Sequence, residues 1–149
     1  MHAARTIPKI LLALVAVAVL SPAAPAGAAT VVTEEYYVPT VGGATIYVEV
    51  TRDTDFKKVP IILTYSPYNN LGEPNPSNDG YAARYVPRGY ARAVADVLGT
   101  RGSGGCWDYG GLDEQQSGVD VVKFLAGQPW SSGKVAMIGG SYEGTTATM

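Results

Sequence analysis

The chain has 149 residues, with 11 Lys and Arg, 13 Asp and Glu and one histidine, for a formal net charge of −2. The charges form no basic face, so we expect no nucleic-acid partner. One histidine, one cysteine and scattered carboxylates lack metal-ligand spacing, and no glycine-rich loop has the lysine of a phosphate loop, so we expect no metal and no cofactor.

Residues 1–29 have the pattern of a secretory signal peptide. Arg5 and Lys9 give a basic start, residues 10–20 are apolar, and small residues lead to a cleavage site near Ala28-Ala29. The alternative is a membrane anchor, but the apolar run is shorter than the ~20 residues that span a bilayer. We therefore expect a secreted, extracellular protein with no stable membrane anchor.

Two strands are predicted at residues 34–39 and 44–51. In the second strand the aliphatic side chains fall on one face, and Tyr47 and Glu49 fall on the other. This alternation predicts an antiparallel pair with one solvated face.

The pattern then changes to buried strands and helices. Residues 59–65 are continuously apolar, which predicts a strand buried on both faces. The remaining predicted elements follow in chain order: a loop at 66–80, a short helix at 81–86 stopped by 87–89, a strand at 90–97 and a glycine-rich loop at 99–111.

Residues 113–127 are the strongest predicted helix. Asp113 and Glu114 favour its N-terminus through the helix dipole, and Gly127 and Pro129 end it. Its predicted apolar face consists of residues at helical spacing: Val119, Val121, Val122, Leu125 and Ala126.

A buried strand is predicted at residues 134–138, followed by Gly139-Gly140-Ser141-Tyr142-Glu143-Gly144. A strand, a serine between glycines and a presumptive helix are the layout of a nucleophile elbow, in which glycines let the strand and helix approach closely. Taken alone, Ser141 could equally be an ordinary turn serine. A nucleophilic serine needs a histidine and an acid, and the only histidine is His2, which a cleaved signal peptide would remove.

The order of elements predicts an α/β fold. Antiparallel N-terminal strands lead into a mostly parallel sheet with crossover helices. Residues 30–149 could make one small domain, but the sequence stops within the helix after Ser141. We interpret them as the N-terminal part of a longer catalytic domain; a genuine short product is the alternative.

Cys106 is the only cysteine. In an exported protein it predicts either a disulfide partner beyond Met149 or a free thiol, and both alternatives stay open.

An ordered set of motifs runs through roughly residues 60 to 149: Ser66-Pro67-Tyr68, Pro87-Arg88-Gly89-Tyr90, Asp96, Gly99-Thr100, Ser103-Gly104-Gly105, Gly118-Val119-Asp120, Leu125, Gln128-Pro129-Trp130-Ser131, Gly133, Val135 and Gly139 to Gly144. Read together, these motifs resemble the Xaa-Pro dipeptidyl-peptidase and cocaine-esterase-like group of α/β-hydrolases.

Two positions depart from the family pattern. Glu143 stands where the common elbow has glycine, which the family tolerates in its Gly-x-Ser-Tyr-x-Gly form. Leu98 stands where the family usually has arginine, so Arg101 would have to replace that arginine as the partner of Asp96.

The resemblance implies a serine hydrolase that acts on a peptide or a small ester. Ser141 would be the nucleophile, and the backbone N–H of Tyr142 and the hydroxyl of Tyr68 would hold the oxyanion. In this fold the acid and the histidine follow the serine, so they are expected beyond Met149. The earlier candidates are excluded by that order: Asp108, Asp113 and Asp120. Trp107 and Trp130 are interpreted as packing residues.

Three functional hypotheses remain. The leading one is an Xaa-Pro dipeptidyl-peptidase, and an esterase or acylase of the same family is the second. A catalytically silent short exported product is the third. The helical cap and the C-terminal β-sandwich of the family, which carry specificity, would lie outside this sequence, and nothing in the sequence indicates an oligomeric state.

Overall fold

The structure is a computed structural model that describes residues 30–69 and 76–149. The predicted signal peptide, with His2, lies outside these residues, as does part of the predicted 66–80 loop.

Five strands and three helices lie along the described residues. They are β1 (Val31–Pro39), β2 (Thr45–Asp53), β3 (Val59–Ser66), α1 (Gly80–Tyr85), β4 (Ala91–Asp96), α2 (Leu112–Ala126), β5 (Ser131–Met137) and α3 (Tyr142–Thr146). A 3-10 turn, Val86–Arg88, extends α1 and ends at Gly89, whose φ of 79° is left-handed.

The strands form one mixed sheet in the order β1-β2-β4-β3-β5. β1 pairs antiparallel with β2, and β2 pairs antiparallel with β4. β3 pairs parallel with β4 on one side and with β5 on the other. The antiparallel start and the parallel continuation are confirmed, but two of the four pairings are antiparallel, so the described sheet is mixed and not mostly parallel.

The core lies on β3 and β4, at the centre of the sheet. Every residue of β3 except Pro60 is buried, as the apolar run predicts, and all of β4 is buried. Helix α2 packs on this sheet because Gly118 leaves room for a ring: a Cβ on Gly118 would lie 3.2 Å from Cε1 of Tyr65.

The buried face of α2 differs from the predicted one. Val121 and Leu125 are fully buried, but Val119 is 42% exposed. The buried face instead continues through Ser117 and Glu114, two polar residues at helical spacing. The apolar pattern alone could not locate this face because its N-terminal half is polar and is buried with hydrogen-bond partners.

The prediction of a solvated face on β2 is wrong. Tyr47 and Glu49 are both buried. The Glu49 carboxylate accepts hydrogen bonds from the backbone N–H and the hydroxyl of Ser77, at 3.0 and 2.7 Å. The loop after β4 covers the Tyr47 ring, with the Arg101 guanidinium 4.9 Å from its centroid. Segments distant in sequence therefore bury this face.

The prediction that the strand before Ser141 is buried is also wrong. In β5 only Ser131 is buried, and the remaining residues are exposed or half-buried. The physical reason is its position, because β5 lies at the edge of the described sheet and pairs there with β3 alone. Among the described residues, no helix has the length and apolar character needed to cross a membrane.

We predict that Leu125→Ala lowers the free energy of unfolding by about 2–5 kcal/mol, because it opens a cavity under α2. Val119→Ala is the matched control, and we expect it to change that free energy by only about 0.5 kcal/mol, as exposed substitutions do. Urea unfolding of both purified variants measures the difference. Equal losses would contradict the face assigned to α2.

Candidate active site

Ser141 lies at the junction between β5 and α3. It is exposed, and its backbone has φ 55° and ψ −126°, a left-handed conformation that non-glycine residues rarely adopt. Holding a residue there costs about 1–3 kcal/mol, so the surrounding structure must impose it.

The constraint comes from Gly139, two residues before Ser141. A Cβ on Gly139 would lie 2.2 Å from Cβ of Glu143, which no real pair of atoms tolerates. Gly140 has no such neighbour within 4 Å of its Cβ position. The first glycine is therefore the one that lets β5 and α3 approach closely enough to turn the chain at Ser141.

One cavity of about 390 Å³ brings the predicted site residues together. Ser141, Tyr142 and Tyr68 all line it, with Tyr109 and Thr145 among the other lining residues. The rings of Tyr68 and Tyr142 are in edge contact, with centroids 6.0 Å apart. The three residues that the sequence singled out thus surround one space open to solvent.

The side chain of Tyr142 is held by a buried carboxylate. Its hydroxyl donates to Oε1 of Glu114 at 2.6 Å and accepts from Nε1 of Trp107 at 2.9 Å. Burial, followed by the hydrogen bond to Glu114, raises the pKa of Tyr142 to about 12, so its hydroxyl stays a proton donor at neutral pH.

Glu114 joins three segments of the chain. It is fully buried on α2, and its Oε2 accepts from the backbone N–H of Gly110 at 2.9 Å. The sequence predicts a role at the helix start for Glu114 and a packing role for Trp107. It does not predict the hydrogen bonds that both side chains make with Tyr142. No local pattern could have revealed these contacts, because the residues meet only in the folded chain.

Three hydrogen bonds hold the segment that carries Tyr68. The N–H of Tyr68 donates to Oγ of Ser66 at 3.1 Å, and the Ser66 hydroxyl donates to Oε1 of Glu143 at 2.7 Å. On the other side, Nδ2 of Asn69 donates to Oδ1 of Asp96 at 2.7 Å. Tyr68 therefore sits between two anchors.

Asp96, which accepts the hydrogen bond from Asn69, also contacts the loop after β4. Its Oδ2 accepts from the N–H of Gly102 at 3.0 Å and lies 3.6 Å from Nη1 of Arg101. Burial raises the pKa of the Asp96 carboxyl, and these donors oppose that effect. Arg101 thus takes the place expected for an arginine at position 98, where Leu98 is buried in the core.

The remaining acidic candidates have structural partners. Asp108 accepts from the N–H of Asp113 at 3.2 Å, and Asp120 accepts from the N–H of Val41 at 2.9 Å. Cys106 is exposed, and it has no disulfide partner within the part of the chain that the structure describes. Within residues 30–69 and 76–149, no three His, Cys, Asp or Glu side chains are grouped as metal ligands would be.

We predict that Tyr142→Phe lowers the free energy of unfolding by about 1–3 kcal/mol, because it leaves the buried Glu114 carboxylate without its shortest hydrogen bond. Tyr109→Phe removes the same atom from a side chain that is 74% exposed, and we expect almost no change. Thermal unfolding of the two variants measures both effects. Equal stability of the two would contradict the structural role of the Glu114 contact.

Comparison with known proteins finds proteins of similar sequence. A predicted Xaa-Pro dipeptidyl-peptidase of Streptomyces avermitilis is 32% identical over 136 residues, which cover 68% of this chain and 20% of that protein. A predicted serine esterase of Mycobacterium tuberculosis is 39% identical over 70 residues, covering 44% of this chain and 11% of that protein. The chain thus spans about one-fifth or less of the length of these relatives.

The fold has matches among solved structures. An alpha-amino acid ester hydrolase superposes with a TM-score of 0.66 and 29% identity, over 78% of this chain and 22% of that one. The mixed sheet is therefore α/β-hydrolase-like. Residues 42–149 match the X-Pro dipeptidyl-peptidase (S15) family, a match that covers well over half of the sequence and confirms the resemblance seen in the motifs. The chain belongs to the S15 family of serine hydrolases.

Proposed function

We propose that the protein cleaves an acyl bond through a covalent intermediate on Ser141, with residues 139–144 as a nucleophile elbow. The observation that carries this proposal is the strained, exposed backbone of Ser141 beside the cavity that Tyr68 and Tyr142 also line. Strain held by the surrounding fold is typical of functional positions. The sharp turn of a nucleophile elbow points the serine side chain away from the sheet, where a substrate can reach it.

The reaction has two halves. Oγ of Ser141 attacks the acyl carbonyl as a histidine base takes its proton, and the leaving amine or alcohol departs with that proton. Water then attacks the acyl-enzyme with the help of the same base, and the acid product and free serine result. The negative oxygen formed in each half accepts hydrogen bonds from the backbone N–H of Tyr142 and from the hydroxyl of Tyr68.

We infer that the histidine and the acid come from sequence that follows Met149. The described residues include no histidine, and His2 lies in the predicted signal peptide. The small share of its relatives that the chain spans supports this inference. The export of the protein, with cleavage near Ala28-Ala29, rests on the N-terminal sequence pattern alone and is part of the same proposal.

Peptides with proline at the second position are the proposed substrates. Family membership and the similarity to the Streptomyces avermitilis protein support them. An ester substrate is the second candidate, because the Mycobacterium tuberculosis relative is named as a serine esterase and the matched solved structure as an ester hydrolase. Both substrates would use the same serine and the same oxyanion donors.

A fluorophosphonate probe tests whether Ser141 is activated. In a form of the protein that continues past Met149, we expect Ser141→Ala to abolish labelling and Ser132→Ala, an exposed serine of β5, to leave it intact. Residues 30–149 alone should stay unlabelled, because they lack the base. Labelling of the Ser141→Ala variant would refute the assignment of the nucleophile, and labelling of residues 30–149 alone would refute a downstream base.

The substrate class is tested with the same extended form of the protein. We expect faster hydrolysis of a chromogenic Xaa-Pro dipeptide than of a simple aryl ester, compared as kcat/KM. A preference for the aryl ester would assign the protein to the esterase branch of the proposal.

A further inference from the structure

A two-step chain of hydrogen bonds connects the backbone of Tyr68 with the side chain of Glu143. The backbone N–H of Tyr68 donates to Oγ of Ser66 at 3.1 Å, and the hydroxyl of Ser66 donates to Oε1 of Glu143 at 2.7 Å. Glu143 follows Tyr142 directly, so the chain runs from the loop of one donor to the residue beside the other.

The direction of these bonds is fixed by chemistry. An ionised carboxylate only accepts hydrogen bonds, so the Ser66 hydroxyl must give its single hydrogen to Glu143. Its oxygen then keeps a lone pair to accept the N–H of Tyr68. Ser66 is completely buried, which excludes water from competing for that hydrogen, and a bond to a charged acceptor is stronger than a neutral one.

Glu143 itself is held in place by the close approach of β5 and α3. Its Cβ occupies the space that only a glycine at position 139 leaves open. The start of the Glu143 side chain is therefore fixed by the same contact that turns the chain at Ser141, and the hydrogen bond from Ser66 holds its carboxylate. A glycine at position 143, as in the common elbow, would offer no side chain to Ser66.

Tyr68 depends on such anchors because its own side chain is 58% exposed. Its ring contacts the Tyr142 ring at a centroid distance of 6.0 Å. The hydrogen bond from the N–H of Tyr68 to the Ser66 hydroxyl, together with the contact of the Asn69 side chain with Asp96, therefore holds the backbone from which the Tyr68 side chain extends.

We propose that Glu143 is a positioning residue of the oxyanion hole: through Ser66 it fixes the backbone of Tyr68 and thereby the place of the Tyr68 hydroxyl relative to Ser141. This inference rests on the proposed function, in which that hydroxyl stabilises the oxyanion. It gives a role to the residue at which the sequence departs from the common elbow.

The first test is kinetic, with a form of the protein that continues past Met149 and its preferred chromogenic substrate. Glu143→Leu removes the acceptor, and we expect kcat to fall about 10-fold to 10²-fold, as displacement of a catalytic group by about 1 Å does. KM should stay almost constant, because the lost interaction belongs to the transition state. Glu143→Gln keeps an oxygen acceptor for Ser66 and should restore most of kcat.

A double-mutant cycle with Tyr68→Phe separates positioning from general structural support. Tyr68→Phe alone should lower kcat about 10²- to 10³-fold, the usual effect of losing an oxyanion donor. In that background Glu143→Leu should have almost no further effect, because the hydroxyl that it positions is gone. Fully additive losses would overturn the inference.

A matched control removes a different partly buried carboxylate. Glu34 lies on β1, at the opposite edge of the sheet from β5, and Glu34→Leu breaks its ion pair with Arg52 of β2; this variant should leave kcat unchanged. An equal fall in kcat for Glu34→Leu and Glu143→Leu would overturn the inference.

The remaining outcomes distinguish a failure of the proposed Tyr68 oxyanion donor from a failure of the proposed role of Glu143. An unchanged kcat in Tyr68→Phe would refute the proposed oxyanion donor and the positioning role with it. A reduced kcat in Tyr68→Phe with an unchanged kcat in Glu143→Leu would refute the positioning role alone. A rise in KM for Glu143→Leu at constant kcat would also refute that role and assign Glu143 to substrate binding.

Discussion

Strand β5 and helix α3 approach so closely that a Cβ on Gly139 would lie 2.2 Å from that of Glu143. This contact forces the chain to reverse over two residues, and Ser141 takes the left-handed conformation as a result. The same contact fixes where the side chain of Glu143 starts, and its carboxylate accepts a hydrogen bond from the Ser66 hydroxyl. The proposed nucleophile and the proposed support of the Tyr68 oxyanion donor therefore depend on a single steric constraint.

Buried carboxylates hold the loops around this turn. Glu114 receives hydrogen bonds from Tyr142 and from the backbone of Gly110, and Asp96 receives them from Asn69 and from the backbone of Gly102. A buried carboxylate without such donors would be strongly unfavourable, so each one specifies the conformation of the loops that surround it. The lining of the cavity beside Ser141 is thus fixed from two sides.

The sequence predicts the features that depend on neighbouring residues. It does not predict the contacts between residues that are distant in sequence. The apolar run of β3, the ends of α2 and the glycine-flanked Ser141 were all evident, because each depends on neighbouring residues. The buried Tyr47 face of β2 was not evident, because a loop some fifty residues later covers it. The partners of Tyr142 and Glu143 lie 28 and 77 residues away, so no periodicity could link them.

We propose above all that an acyl group is carried on Ser141 during the reaction. The most direct test is to quench the protein, in a form that continues past Met149, during incubation with a slow substrate and to examine its peptides by mass spectrometry. The account predicts that the acyl mass is attached to the peptide containing Ser141 and disappears as the product forms. An acyl group on another residue, or turnover without any acylated peptide, would contradict it.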